Sequence, residues 1–223
     1  MEPIIRRFVS TLYDENTYVI TLDDKAIVID PGSSYNEVLN YIRENNLDLI
    51  ALLATHAHID HVYGVPYIKS VYDVPFYLSK EDLYVLEHTN RHYKIYIGDM
   101  EFIEVPYPDK YVSEGVLWIK PFKLRIIETP GHTLGSISYL YNKYLFTGDT
   151  IFRETIGRTD FGGDTELLVK SIHSKIFKLS GDTVIYPGHG EESTVGYEIR
   201  HNVYVGVNGI YPYEIGDSQP QLH

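Results

Sequence analysis

The chain has 223 residues, 43% hydrophobic and 22% charged, which suffices for one full-sized core and excludes a disordered polypeptide. Lys+Arg number 19 against Asp+Glu 31, giving a formal net charge of −12 with no basic run, so a long polyanion such as a nucleic acid is excluded as partner. There is no cysteine, which rules out disulfides and thiolate metal sites and leaves any metal to nitrogen and oxygen ligands. The start, Met1 to Arg7, lacks the charged-then-apolar order of a signal peptide, and no apolar run approaches membrane-spanning length. A cytoplasmic protein without a membrane partner is the expectation.

In chain order, Thr17 to Leu22 and Ala26 to Ile29 read as a β-hairpin across Asp23-Asp24-Lys25, delivering Asp30 to a Pro31-Gly32 turn. Ser34 and Glu37 have capping-box spacing, ahead of a helix with Val38, Tyr41 and Ile42 on one face. Leu47 to Ala54 is a continuous apolar run, hence a strand buried on both faces. It opens into Thr55-His56-Ala57-His58-Ile59-Asp60-His61, where four potential metal ligands stand within six residues. Imidazole nitrogen and carboxylate oxygen suit zinc, manganese or ferrous iron. Alternation along an extended segment points His56 and His58 the same way, leaving Asp60 and His61 to face a second point.

Val62 to Pro66 is expected to begin a helix, and Ser79 with Asp82, Leu83 and Leu86 opens another, so the succession is β–α–β and the class α/β. From Tyr93 to Tyr111 the pattern is mixed, with Gly98-Asp99 and Pro106-Tyr107-Pro108-Asp109 as turn signals. This stretch divides one expected domain, 1–223, into similar halves of about 1–110 and 111–223. In the second half Lys123 to Glu128, Ser136 to Tyr141 and Lys143 to Thr147 read as strands. Asp164 caps a helix striped by Leu168, Ile172 and Ile176, Val184 to Tyr186 is a short strand before His189, and Gly206 to His223 is irregular.

The His-x-His-x-Asp-His string is followed by Thr129-Pro130-Gly131-His132-Thr133, Phe146-Thr147-Gly148-Asp149-Thr150 and Tyr186-Pro187-Gly188-His189-Gly190. Together these resemble the metal-binding motifs of the metallo-β-lactamase superfamily, in the family's order. The resemblance implies a four-layer αβ/βα sandwich. It implies that His56, His58 and His132 hold a first metal, that Asp60, His61 and His189 hold a second, and that Asp149 bridges both, with Asp30 supporting the ligands. Two divalent ions are expected, zinc first, with iron or manganese compatible. A hydroxide between two such ions exists near neutral pH and attacks a carbonyl carbon, and Asp60 is placed to orient it. His58, where redox di-iron members carry Glu, is similar to the hydrolase pattern. His88, His92, His173, His201 and His223 are read as surface or locally hydrogen-bonded.

Gly157-Arg158-Thr159-Asp160-Phe161, together with the segment from Pro187 through Glu198 to Asn202, resembles the short glyoxalase II-like hydrolases, which cleave thioesters such as S-lactoylglutathione. The chain lacks that enzyme's Lys- and aromatic-containing glutathione loop at Arg158 and its C-terminal helical domain. The resemblance therefore implies a small-molecule thioester whose thiol differs from glutathione. Arg158 either pairs with a substrate carboxylate or forms an ion pair with Asp160 or Asp164. Tyr63, Tyr107 and Tyr111 are candidates to line the pocket. The Gly-Arg-Thr-Asp-Phe string is also similar to persulfide dioxygenases, which use one ferrous iron, and this is the alternative reading. A ribonuclease Z-like nuclease ranks third, for want of a basic surface.

Overall fold

The structure is a computed structural model that describes residues 2–11, 13–96 and 104–214, with the backbone alone over 92–96. Six strands form a first sheet: β1 (Ile4–Val9), β2 (Asn16–Leu22), β3 (Lys25–Ile29), β4 (Asp48–Leu53), β5 (Phe76–Ser79) and β6 (Lys110–Val112), neighbours in that order. The first three pair antiparallel, and β3 to β6 are parallel. A second sheet begins with β7 (Gly115–Ile119), β8 (Phe122–Glu128), β9 (Ile137–Tyr141) and β10 (Tyr144–Gly148). After a small hairpin of β11 (Ile151–Phe152) and β12 (Thr155–Ile156) it is completed by β13 (Val184–Pro187), parallel to β10, and by β14 (Ser193–Thr194).

Helix α1 (Tyr35–Glu44) crosses from β3 to β4, and the short α2 (Ile59–Val62) and α3 (Val65–Lys69) lead from β4 to β5. Helix α4 (Leu83–Tyr96) follows β5. In the second half α5 (Thr165–Ser171) runs into a π-helical turn over Ile172–Ile176, and α6 (Val195–His201) follows β14.

Strand periodicity explains the layering. On β2, β3 and β4 the residues Tyr18, Ile20, Ile27, Ile29, Ala51 and Leu53 face the second sheet, meeting Phe122, Leu124, Ile126, Ile137, Tyr139 and Phe146. Their neighbours Val19, Ala26, Val28, Leu49 and Leu52 point the other way, beneath Val38 and Ile42 of α1 and Val65 and Ile68 of α3. The second sheet repeats this, with Ile127, Leu145 and Ile185 under Leu168, Ile172, Val195 and Ile199. Helices, sheet, sheet and helices make four layers, the α/β sandwich implied by the motifs. Strands buried on both faces read as unbroken apolar runs for this reason. Among the described residues no helix is long and apolar enough to cross a membrane.

Several local expectations change. The edge strands β1 and β7 escape the sequence reading: Arg6-Arg7 interrupt the apolar pattern of β1, and β7, though Val116-Leu117-Trp118-Ile119 is a short apolar run, is mostly exposed at the sheet edge. Ser34 precedes α1 but does not cap it; its hydroxyl donates to Thr17 Oγ1 at 3.1 Å. Ser79 likewise makes no cap, and a 3₁₀ turn over Lys80–Asp82 comes before α4. Helix begins at Ile59 rather than Val62, so Asp60 and His61 sit on a helical turn and are not extended. Asp164 does cap its helix, accepting from the Leu167 amide at 2.9 Å. The turn at Gly98-Asp99 and the tail beyond Glu214 lie outside the described residues.

Candidate metal centre

The seven candidate ligands converge from four segments, each following the carboxyl end of a strand: the loop and first turn of α2 after β4, the loop after β8, the end of β10 and the loop after β13. Backbone bonds join these segments, two of them across the seam between the sheets and the third within the second sheet. Ile137 N donates to Thr55 O at 3.0 Å, Asn16 N to Gly188 O at 2.7 Å and Gly188 N to Gly148 O at 2.8 Å. Asn16 Nδ2 adds bonds to Pro187 O and Gly190 O, both 3.0 Å.

Three ring nitrogens, His56 Nε2, His58 Nδ1 and His132 Nε2, form a triangle with edges of 3.1, 2.9 and 3.2 Å. The hydrogen-bond network fixes what two of them present. Thr55 Oγ1 has one proton and donates it to Asp30 Oδ2 at 2.8 Å, so His56 Nδ1 must donate to Thr55 Oγ1 at 3.1 Å and Nε2 is bare. His132 Nδ1 donates to the carbonyl of Arg158 at 2.6 Å, so in the neutral ring Nε2 is bare as well. Two lone pairs on neutral rings would thus face each other at 3.2 Å in a buried site, an arrangement that a cation among the three nitrogens relieves. Nitrogens bound to tetrahedral zinc at about 2.0–2.1 Å stand roughly 3.3 Å apart, so the donor set fits such an ion. Burial, reinforced by His132, lowers His58 to about 4, and burial lowers His56 well below its usual range, so both rings are neutral donors.

Asp149 lies at the centre. Its Oδ2 is 3.4 Å from His132 Nε2 and 3.5 Å from His189 Nε2, and its Oδ1 is 3.3 Å from His61 Nε2. Asp60 Oδ2 lies 3.3 Å from His189 Nε2 and 3.7 Å from His61 Nε2, and a second group of Asp60, His61 and His189 results. His61 is fully buried, with Nδ1 3.1 Å from Asp30 Oδ2, yet neither ring nitrogen nor Asp149 Oδ1 makes a properly aligned hydrogen bond. Such orphaned buried atoms are what a coordination site leaves when the network is read without its ion. Burial opposes charge on His61 and His189, but the carboxylates outweigh it, raising His61 well above its usual value and His189 to about 9. The three carboxylates therefore demand positive charge, which protons supply in the absence of metal.

Close approach of backbone requires glycine at one of these loops. A Cβ on Gly188 would lie 2.2 Å from Asp149 Oδ1 and 2.7 Å from His61 Cε1.

Asp30 unites two expected roles. It adopts a positive φ of 50° as a turn residue, and its carboxylate accepts Thr55 N at 2.6 Å while facing His61. Of the two readings of Arg158, the ion pair with Asp160 is the one visible in the structure. Its exposed guanidinium pairs with Asp160 at 2.9 and 2.6 Å and lies 4.7 Å over the Phe161 ring, so its charge is already compensated. The part of Arg158 joined to the ligand cluster is its carbonyl, through His132. Tyr63 packs with Tyr35 and Tyr67, Tyr107 donates to Glu87 Oε1 at 2.9 Å, and Tyr111 is exposed on β6. His173 Nε2 lies 2.9 Å from Val205 O, and the His201 ring packs tilted against Tyr197 with centroids 4.5 Å apart. Asp82 and Asn16, which hold the ligand loops, carry no sequence signal beyond a helix-start pattern and a strand edge.

The metallo-beta-lactamase superfamily model matches residues 10–189. The Haemophilus influenzae hydroxyacylglutathione hydrolase GloC is 36% identical over 202 residues, covering 87% of this chain and 94% of its own. Among solved structures, the BLEG-1 B3 metallo-beta-lactamase is similar with a TM-score of 0.84 and 33% identity, over 91% of this chain and 99% of that one. TTHA1623, solved in a di-iron-bound form, has a TM-score of 0.78 and 28% identity, over 91% and 98%.

Proposed function

The chain belongs to the metallo-beta-lactamase superfamily, and from that membership we propose that it is a dinuclear metal-dependent hydrolase of small thioesters. The observation that carries the reading is the Asp149 carboxylate, one oxygen of which lies within 3.5 Å of both His132 and His189 while the other lies 3.3 Å from His61. In this reading His56, His58 and His132 hold one divalent ion, Asp60, His61 and His189 the other, and Asp149 both. Such ions supply Lewis acidity and a source of hydroxide near neutral pH.

The chain's own groups do the rest. Thr55, Asp30, the Arg158 carbonyl and, for His189, the Tyr13 carbonyl at 3.0 Å engage the outward ring nitrogens, which turns the inward ones to the site. Asp60 can ligate through one oxygen and accept a hydrogen bond from the attacking water through the other, aligning it with the carbonyl. A thiol with a pKa of about 8.5 departs as thiolate without a dedicated acid, which suits a site whose titratable groups are engaged in ligation. The kinship with GloC supports the thioester as substrate class.

The test is thiol release from S-lactoylglutathione, lactoyl coenzyme A and lactoyl esters of small thiols by the zinc-loaded protein under nitrogen. Release that falls sharply in His189→Ala is the expected result. Oxygen consumption with glutathione persulfide by the ferrous form, retained in His189→Ala and unaccompanied by thioester cleavage, would overturn it.

A further inference from the structure

Two buried tyrosines cross the seam in opposite directions. Tyr18, on β2 of the first sheet, donates its hydroxyl hydrogen to Pro187 O at 2.7 Å, and Pro187 is the residue before Gly188-His189. Tyr139, on β9 of the second sheet, donates to Ala54 O at 3.1 Å, and Ala54 is the residue before Thr55-His56. Both rings are at most 1% exposed within the core between the sheets, where Phe would satisfy the packing without burying an oxygen. Each hydroxyl instead ends on the carbonyl where the opposite sheet releases its metal loop.

We propose that Tyr18 and Tyr139 are reciprocal positioning residues: Tyr139 sets the His56-x-His58 loop for the first ion, and Tyr18 sets the His189 loop for the second. The proposal rests on the two-site ligand reading above. The two anchors differ in redundancy. Pro187 O also accepts from Asn16 Nδ2 at 3.0 Å, whereas among the described residues Tyr139 is the one donor that reaches Ala54 O. Loss of the Tyr139 hydroxyl therefore has the larger effect.

The experiment uses Tyr18→Phe and Tyr139→Phe in the full chain, each also combined with His189→Ala, and reads stepwise zinc affinities by chelator competition. Tyr139→Phe is expected to weaken the ion that remains in His189→Ala by about tenfold or more, in line with other groups that orient metal ligands. Tyr18→Phe should weaken the other ion alone, by less, and should have no effect once His189 is gone. Hydrogen exchange on the ion-free protein supplies a second reading: amides of 54–58 should exchange faster by about fivefold in Tyr139→Phe, and those of 188–190 in Tyr18→Phe. Equal weakening of both ions by each variant, or unchanged affinities with unchanged exchange, would overturn the proposal. A wild-type protein that binds fewer than two ions would sink the ligand reading, and the loop-selective exchange would then decide the tyrosines by itself.

Discussion

The carboxylate of Asp82 accepts the amide of Ala57 at 2.5 Å and the amide of Gly135 at 3.2 Å, so one buried side chain ties the peptide between His56 and His58 to the loop that follows His132. The other end of the Ala57 residue is held as well, its carbonyl accepting from Thr89 Oγ1 at 3.0 Å. Burial raises the Asp82 carboxyl above its usual range, although the Thr133, Ala57 and Gly135 bonds pull against it. In Asp82→Asn, an amide NH₂ would have to face one of two N–H donors. The expected cost is about 2–3 kcal/mol of stability, read from urea unfolding midpoints at constant slope. A midpoint at the wild-type value would show that the two loops hold their places without the carboxylate.

Gly188→Ala is expected to fold and yet lose metal. The new methyl would meet Asp149 Oδ1 and His61 Cε1 well inside contact distance, and both belong to the cluster, so one must move. Chelator competition should show at least about a tenfold weaker second ion, with far-UV circular dichroism unchanged. Wild-type affinity would mean that the loop shifts without cost.

Asp149→Ala and His189→Ala separate the roles of the two ligands. Asp149 lies between both nitrogen groups, so its removal should disturb both ions, whereas His189 touches Asp60 and Asp149 and its removal should chiefly empty one position. Metal analysis after zinc supplementation and gel filtration is expected to give close to two ions per wild-type chain and about one in His189→Ala. Full retention of metal by both variants would refute the ligand assignment.

Arg158→Ala should leave thermal stability unchanged and move KM for a lactoyl thioester by less than about threefold. Its guanidinium is exposed and already paired with Asp160, and exposed pairs contribute little. A rise in KM that grows with the negative charge of the thiol would instead restore Arg158 as the substrate anchor.

Much of the architecture was legible in the sequence, because burial on both faces makes β3 and β4 read as apolar runs and because His56, His58, Asp60 and His61 are packed into six residues. What stayed hidden has physical reasons. Arg6-Arg7 break the apolar pattern of β1, β7 is a short edge strand left mostly exposed, and α2 is a single turn whose periodicity cannot register. The even choice for Arg158 depended on a two-residue ion pair that spacing permits but does not require. Asp82 looked like part of a helix start, and its service to Ala57 and Gly135 spans 25 and 53 residues, beyond any local pattern.

The seam has a thermodynamic consequence. His56, His58, Asp60 and His61 hang from the first sheet, and His132, Asp149 and His189 from the second, so neither sheet alone owns a complete set. Any ion held by all of them binds only when the sheets are docked, and mass action then makes free metal concentration a variable of folding. An ion present at about 100 times its dissociation constant would add about 2.7 kcal/mol to the docked state. Scanning calorimetry should therefore find a melting temperature that climbs with the logarithm of free zinc and falls on chelation, so that metal supply and the persistence of the folded chain become one variable.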